Sequence, residues 1–577
     1  MLCIKDHRQT VLFDPWNYLS PIRRRMLNES WAGLFQEQIL NALPVEHLSP
    51  FFTTGFGRPT KELHTVLGTL ILQQAFDLTD EETVNHLAFN IQWHYALNIT
   101  EESDSAKYMC PKTLWNMRAV VISNDLDPVL FENVTDTLIR VFDVNTDNQR
   151  IDSVHIKSNM RRLGRIGIFT RSIQTFLTNL KRGHLHLFET VDDHIIDKYV
   201  SEKSLKCFSM IKPSDSHKTL TSVSTDLFNL IGQFRDCPEV CAMYSYKQLE
   251  RVLNEQCNVV ETGEGKRAEV RKPKEIPSDS LQNPSDPDAS YSGHKGQGYQ
   301  VQVMETYSKD EDDSEKNVPN LITYVHVERA HESDAAALMP AVEAVRNRNA
   351  EPKEVLADTL YGSDENCQAA ARAGVGVVAP AAGKGTDGLG LTGFGLSEDG
   401  TVLSCPAGQA PIRTAKKNSR HTAAFDSQCC AACPHLKDCP VKEGKRQYYL
   451  RYTDKDIRIA QRRAYEKTDE FTDRYRWRAG VEGTMSQYDR RTGVKKLRVR
   501  GLENVRFCAV LKAAAVNIFR ASASRKAGGA GFFRILLHFC LIFICEELFH
   551  TFRHRIKKIF HAEKCTMKMG FSFQRKC

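Results

Sequence analysis

A lone glutamate in a strongly basic helical stretch constrains this chain more than any other feature. Tyr475, Arg478 and Glu482 are spaced i, i+3, i+7, which at about 100° per residue puts all three within roughly 60° on one helical face. Between Arg474 and Arg500, nine basic residues stand against two acidic ones, Glu482 and Asp489. That is the balance of a surface that meets phosphate. A carboxylate kept in such a field needs a reason, and holding a divalent metal against a phosphodiester is a good one. Taken alone, the pattern fits equally well a solvated helix whose Glu482 pairs with arginine. The reading therefore turns on whether other carboxylates join it.

A chain of 577 residues with 41% hydrophobic composition is long enough for roughly two to four domains with cores of their own. The net charge is only +7, so nucleic-acid binding has to be argued from clusters and not from the total. Seventeen cysteines would be many for a disulfide framework in so large a chain. The opening Met1-Leu-Cys-Ile-Lys-Asp-His-Arg is polar and charged, unlike a secretory signal, so a reducing cytoplasm is expected. The apolar run 531–545 is shorter than the roughly 20 residues needed to span a bilayer and contains Arg534 and His538, so no membrane association is expected.

Residues 1–147 read as helical. Arg58-Pro-Thr60 suits a helix start, Thr79-Asp-Glu-Glu82 is a capping box, and Cys110-Pro111-Lys112 opens a further helix. Short helices with tight turns are compatible with a DNA-binding helix-turn-helix and equally with a plain bundle. The composition changes at Arg150-Ile-Asp152-Ser-Val-His-Ile156, an alternating β-branched run that reads as a strand carrying Asp152. Helical pattern returns from about Phe169 to Val259, with His184, His186 and His194 read as structural or surface groups. The polar segment 261–292 reads as a mobile connection, its Asp286-Pro-Asp288 as a turn.

Strand patterns at 299–305 and 321–327 suggest a hairpin across the acidic loop 309–317, and a helix follows from about Asp334 to Arg346. Glu354-Val-Leu-Ala-Asp358 is a further strand, a helix runs from Glu365 to Ala373, and a last strand covers 375–378. That order predicts a mixed α/β sheet with helices on its faces and with Asp152 and Asp358 at strand ends. Gly383, Gly385 and Gly388 match a dinucleotide fingerprint formally, but more glycine follows where a helix should begin, so nucleotide binding is not expected.

Cys405, Cys430, Cys433 and Cys439 have the spacing of a tetrahedral structural zinc site, with Cys429 and His435 as possible substitutes. Four thiolates leave no open coordination position, so such an ion would hold a fold and do no chemistry. From Tyr465 a long helix is predicted to carry Tyr475, Arg478 and Glu482, with Gly480 and Gly483 giving room for another backbone or a DNA strand. Residues 504–520 form an amphipathic helix closing the core, and the chain from Ala521 on reads as a basic and apolar appendage.

Two aspartates from neighbouring strands and one glutamate from a helix suffice to hold a pair of Mg²⁺ ions for phosphodiester chemistry. Asp152-Ser with its following arginines, Ala357-Asp358-Thr-Leu-Tyr361-Gly362-Ser363 and Tyr475-x2-Arg478-x3-Glu482 resemble the three motifs of DDE-type bacterial insertion-sequence transposases, over roughly residues 30–520. That family continues with lysine seven residues after the glutamate; here the position is Asp489, followed by Arg490 and Arg491.

The resemblance implies a ribonuclease H-like catalytic core over 148–520, interrupted by a helical insertion and linker (167–292) and by a cysteine-rich zinc module (382–452). A helical DNA-binding domain (1–147) would precede the core and a tail (521–577) would follow it. It implies a bacterial, nucleoid-associated polynucleotidyl transferase that cuts at the ends of its own element and directs the freed 3′-hydroxyl at target DNA. Asp152, Asp358 and Glu482 would hold two Mg²⁺ or Mn²⁺ ions. Tyr475 and Arg478 would grip phosphate near the scissile bond, and Arg490, Arg491, Lys495, Lys496, Arg498 and Arg500 would follow the DNA backbone. Bringing two ends together calls for a homodimer. The alternatives are a metal-dependent nuclease that does not join ends, and an inactive DNA-binding remnant.

Overall fold

Strand β1 (Asn148–Lys157) is the axis on which the largest sheet of the molecule is built. In the computed structural model the described residues are 2–528 apart from 10–13, 55–56, 58, 201–210, 264, 310–316 and 383–388. The glycine fingerprint at 383–388 and the apolar run 531–545 lie outside them. Along one edge β1 pairs antiparallel with β5 (Gly296–Thr306), which in turn pairs antiparallel with β6 (Ile322–Arg329) and, farther along, with the short β4 (Ser290–Ser292). Along the other edge β1 pairs parallel with β7 (Glu354–Leu356), and β7 parallel with β8 (Gly376–Val378). The result is the mixed sheet expected from the order of the elements.

Alternation along β1 sends its side chains to two different cores. Ile151 packs with Met304, Val355 and the helix Leu338–Arg346 on one face. Val154 and Ile156 join a larger core on the other, together with Val301, Val303, Val481, Tyr488 and the long C-terminal helix Leu502–Gly528. That helix is long and apolar enough to cross a membrane, but most of its apolar stretch is buried within the protein, as in the core helix of a folded domain. It runs past Ala521, which is itself fully buried, so the helix does not end where the appendage was expected to begin.

The N-terminal helices share this larger core. Helices α1 (Leu63–Ala75), α2 (Asp80–Phe89), α3 (Pro111–Ser123) and α4 (Leu126–Phe142) start where local chemistry directs. Glu62 accepts from the His64 and Thr65 N–H groups, Thr79 and Glu82 form the capping box, and Pro111 occupies the first turn. Lys512 of the C-terminal helix reaches the bundle at Asp77. The insertion after β1 has a core of its own, in which α5 (Arg165–Gly183), α6 (Ser216–Phe234) and α7 (Tyr244–Gln256) pack with the hairpin of β2 (Cys257–Thr262) and β3 (Gly265–Val270).

The segment 261–292, expected to be a mobile connection, is tied down. Asp286 accepts from Ser158 and Tyr299 hydroxyls and from the Gly501 N–H, and Asp288 accepts from the Leu502 N–H. The two aspartates thus cap the start of the C-terminal helix, and a composition that looks unstructured is ordered by long-range hydrogen bonds.

The sheet face that carries Asp152 depends on one buried ion network. Arg150 and Glu305 face each other across β1 and β5. Arg150 Nε donates to Glu305 Oε1 at 2.7 Å, and Glu305 Oε2 accepts from Thr484 (2.6 Å) and Arg520 (2.8 Å). Arg150 Nη1 also donates to the Trp477 carbonyl at 2.6 Å. Gly480 is the residue that makes room, because a Cβ there would lie 2.1 Å from Arg150 Nη1. The glycine therefore admits a protein guanidinium and not the external backbone or DNA strand anticipated from the sequence. Gly480→Ala should destabilise the protein by about 1–3 kcal/mol through overpacking, and Arg150→Ala by about 1–3 kcal/mol through the hydrogen bonds lost by Glu305 and by the Trp477 carbonyl. Urea denaturation checks both; a midpoint shift for Gly480→Ala no larger than for Gly483→Ala, where the added Cβ meets nothing, would contradict the packing argument.

Candidate active site

Asp152 midway along β1, and not at a strand end as expected, meets Asp358 just past the end of β7 and one interrupted helix on the same face. Arg150 pairs with Leu356 in the parallel β1–β7 register. Asp152 and Asp358 are each two residues farther along, so they leave neighbouring strands toward the same side of the sheet. The Ala357 N–H donates to the Val378 carbonyl and holds the end of β7 in place. Asp358 then turns sharply, its carboxylate accepting from the Thr359 N–H at 2.6 Å and its carbonyl from Tyr361 and Gly362.

The single helix expected from Tyr465 is broken. An α-helix at Asp454–Tyr465 is followed by a second at Asp469–Tyr475, a 3-10 turn at Arg476–Ala479 and a third helix, Gly480–Thr492. The turn coincides with the Trp477 carbonyl, which is taken by the Arg150 guanidinium. Arg478 lies in this turn and bridges two carboxylates. Its Nη2 donates to Asp152 Oδ2 at 2.8 Å, and its Nη1 is 3.7 Å from Glu482 Oε1. The Asp152 side chain is 20% exposed and that of Glu482 is 74% exposed, so Glu482 stands at the solvent edge while Asp152 lies beneath the arginine.

Burial is the largest influence on Asp152 and raises its pKa above the usual carboxylate range. Arg478 and the Ser153 N–H oppose it, and the neighbouring charges of Asp358 and Asp334 add to it. Tyr475 stacks on Phe471 with ring centroids 5.2 Å apart. Burial likewise raises its hydroxyl, with Arg478 opposing and Asp358 and Asp152 adding.

The basic tract is partly engaged. Arg491 lies over the Phe519 ring, Arg498 pairs with Asp77, and Lys495 is 3.9 Å from Asp489. Asp489, where a lysine would follow the motif, accepts from the Lys495 N–H, and the Gly493 N–H bonds its carbonyl, so it shapes the end of its helix. Arg490, Lys496 and Arg500 have exposed side chains. Sequence reading missed Arg150, Glu305 and Lys295. The last donates to Ser153 Oγ at 2.8 Å and pairs with Asp334. A charged residue alternating with Asp152 on the same strand face was the available signal for Arg150.

Cys405, Cys430, Cys433 and Cys439 line one small apolar pocket together with His435, Phe425 and Leu436, whereas Cys429 is exposed. Burial, then the neighbouring thiols of Cys405, Cys439 and Cys433, push Cys430 up to about 11. Among the described residues, a group with all ligand atoms within 4.8 Å of one another is formed by His7, Glu62 and His64. Neither the three carboxylates nor these thiols are drawn together so tightly.

A protein-family model described as a transposase DDE domain matches residues 404–521, and a second, described as a transposase domain, matches residues 32–119. Both matches are to transposase domains, and together they indicate a DDE-type insertion-sequence transposase. No curated protein matches it. The first match takes in the four pocket thiols, Tyr475, Arg478 and Glu482; the second takes in α1, α2 and most of α3; Asp152 and Asp358 lie outside both. Transposases of this kind act on DNA, and their DDE domain implies dependence on divalent metal ions.

The raised Asp152 makes a stability prediction for the transposase. An acid held above its unfolded value binds its proton more tightly when folded, so charging it opposes folding. That penalty is absent below the unfolded pKa of about 3.9 and grows as pH rises through the folded value. Asp152→Asn should therefore melt at a higher temperature than wild type near about pH 7, with the gain disappearing toward about pH 4. Melting curves across that range decide it; a gain independent of pH would count against the assignment.

Proposed function

We propose that this transposase cuts DNA at the ends of its element and joins the freed 3′-hydroxyl to target DNA, using Asp152, Asp358 and Glu482. The observation that carries the reading is the emergence of Asp152 and Asp358 from adjacent parallel strands on one face, with Arg478 reaching from Asp152 toward Glu482. The mixed sheet with helices against it supports a ribonuclease H-like core. The hard-oxygen donor set and the crowding of Asp152 by Asp358 and Asp334 fit Mg²⁺ or Mn²⁺. Such ions, when bound by the three carboxylates, activate the attacking oxygen and stabilise the leaving one.

The remaining work falls to the chain. Arg478 now neutralises Asp152; released from it, the same planar fork suits a non-bridging phosphate oxygen. Tyr475, rigidly stacked on Phe471, presents a hydroxyl that stays protonated at neutral pH and can donate to phosphate. Exposed Arg490, Lys496 and Arg500 would follow the backbone without reading sequence, joined by Arg491, Lys495 and Arg498 when their internal contacts yield. End recognition would fall to the N-terminal helices, and two ends would be held by a homodimer in a cytoplasmic, nucleoid-associated complex.

Duplexes carrying the inverted repeats that flank the coding region test the reading. Glu482→Gln should lower Mg²⁺-dependent cleavage by a factor of about 10³ or more while leaving DNA binding within a few-fold of wild type. Cleavage without transfer of pre-cut ends would leave only a nuclease. Retained cleavage in the variant would remove Glu482 from the chemistry.

We further propose that Cys405, Cys430, Cys433 and Cys439 hold a structural zinc ion, the support being their convergence on one pocket. Their thiols must draw inward to bind it, and the stability so gained would be separate from catalysis. Zinc chelation should then lower the melting temperature, whereas omitting Mg²⁺ should stop cleavage at an unchanged melting temperature. Equal loss of fold in both cases would contradict this division of labour.

A further inference from the structure

The N-terminal strap, residues 2–9, lies along the start of α1 and is pinned there by backbone bonds. Cys3 N–H donates to Thr60 Oγ1, Leu63 N–H to the Cys3 carbonyl, and His7 N–H to Asn41 Oδ1. These bonds bring His7 against Glu62 and His64. The three side chains are only 5%, 10% and 7% exposed. His64 Nδ1 is 3.0 Å from Glu62 Oε1, and His7 Nε2 is 3.4 Å from Glu62 Oε2. All three ligand atoms lie within 4.8 Å of one another.

Nothing in the transposase chemistry uses this cluster, and hydrogen bonding does not complete it. His7 Nε2 is buried and makes no aligned hydrogen bond despite its closeness to the carboxylate. An orphaned ring nitrogen is unfavourable in a buried site unless something else takes up its lone pair. Two imidazoles and one carboxylate are a common zinc ligand set, with bonds of about 2.0–2.2 Å. Ligand atoms at that radius around a tetrahedral ion stand roughly 3.3 Å apart, close to the 3.0 Å and 3.4 Å between the two imidazoles and the Glu62 carboxylate oxygens.

The surroundings support a cation in two further ways. The other nitrogen of His7 meets the Asn98 side-chain amide at 3.4 Å. The oxygen of that amide accepts from Gln36 Nε2 at 3.1 Å, and turning the Asn98 and Gln36 amides together keeps the bond between them while giving His7 the oxygen partner that ligating histidines use. Beside the cluster is a cavity of about 30 Å³ lined by Lys5, Glu62, Thr65, Asn98 and Met109, space for a water as fourth ligand.

We propose that His7, Glu62 and His64 form a binding site for a divalent transition metal, zinc by its ligand set, that fastens the N-terminal strap to the start of α1. Glu62 caps that helix with the same carboxylate, so the ion would join strap, cap and helix in one unit. The site is independent of the carboxylates of the active face and of the cysteine pocket.

Metal content of the full-length protein tests this. After dialysis against zinc-buffered solution, inductively coupled plasma mass spectrometry should find one zinc equivalent per chain fewer in His7→Gln/His64→Gln than in wild type, whatever the cysteine pocket holds. Circular dichroism and a cooperative melt establish that the double variant is folded. If it is not, His7→Gln alone removes a ligand on the strap, outside every helix, and should weaken binding of the equivalent at least tenfold in competition with a chelator of known affinity. Co²⁺ loaded at this site should give visible d–d bands without thiolate charge transfer, and these bands should vanish in the variants. Unchanged metal content together with an unchanged Co²⁺ spectrum would overturn the proposal.

Discussion

The guanidinium of Arg150 has almost no water to turn to, and the geometry of the active face follows from how its hydrogen bonds are satisfied. It is 6% exposed and faces Glu305, whose side chain is fully buried, across the centre of the sheet. Arg520 from the C-terminal helix and Thr484 from the helix bearing Glu482 complete the same carboxylate. Four elements are thereby locked around one buried charge. Such networks contribute little net stability but strongly disfavour arrangements that leave a charge unpaired. Arg150 Nη1 takes the Trp477 carbonyl, which lies in the 3-10 turn one residue before Arg478. Two residues along the same strand, Asp152 lies under that arginine.

This arrangement explains why the three carboxylates differ so much in environment. Asp152 is largely withdrawn from solvent, crowded by Asp358 and Asp334 and compensated by a single arginine. Glu482 stands free at the edge of the face. A site of like charges held apart by a movable guanidinium stays folded without a ligand and keeps one arm free to close. On the proposed reading, phosphate draws Arg478 outward while divalent ions draw Glu482 inward, so that binding of DNA and metal completes the site. The electrostatic strain at Asp152 is then a functional expense, in keeping with the tendency of perturbed carboxylates to mark reaction centres.

Much of this was legible in the sequence because it is local. The capping box at Thr79, the proline start of α3 and the alternating run of β1 each depend on neighbours within a few residues, and each lies where expected. The nearness of Arg478 to Glu482 was foreshadowed by motif spacing, whereas its bond to Asp152 was not, and the helix thought to present it is interrupted. The 3-10 turn within it coincides with a hydrogen bond to backbone from Arg150, more than 300 residues away in the chain. Segment 261–292 was misjudged for the same reason. Its aspartates are satisfied by Tyr299 and by the N–H groups of Gly501 and Leu502, partners that composition cannot reveal. Gly480 was recognised as a place of close approach, but what approaches is a side chain of the protein itself.

The central claim is that Asp152 and Asp358 form one cation-binding face from which Arg478 withdraws. The most direct measurement is a crystal structure of the transposase grown with Mn²⁺ and an element-end duplex, read by anomalous scattering. The account predicts manganese peaks within ligating distance of both Asp152 and Asp358, about 2.0–2.2 Å from their oxygens, with Arg478 moved from Asp152 onto phosphate. Manganese elsewhere, with Arg478 still bonded to Asp152 and DNA in place, would contradict it.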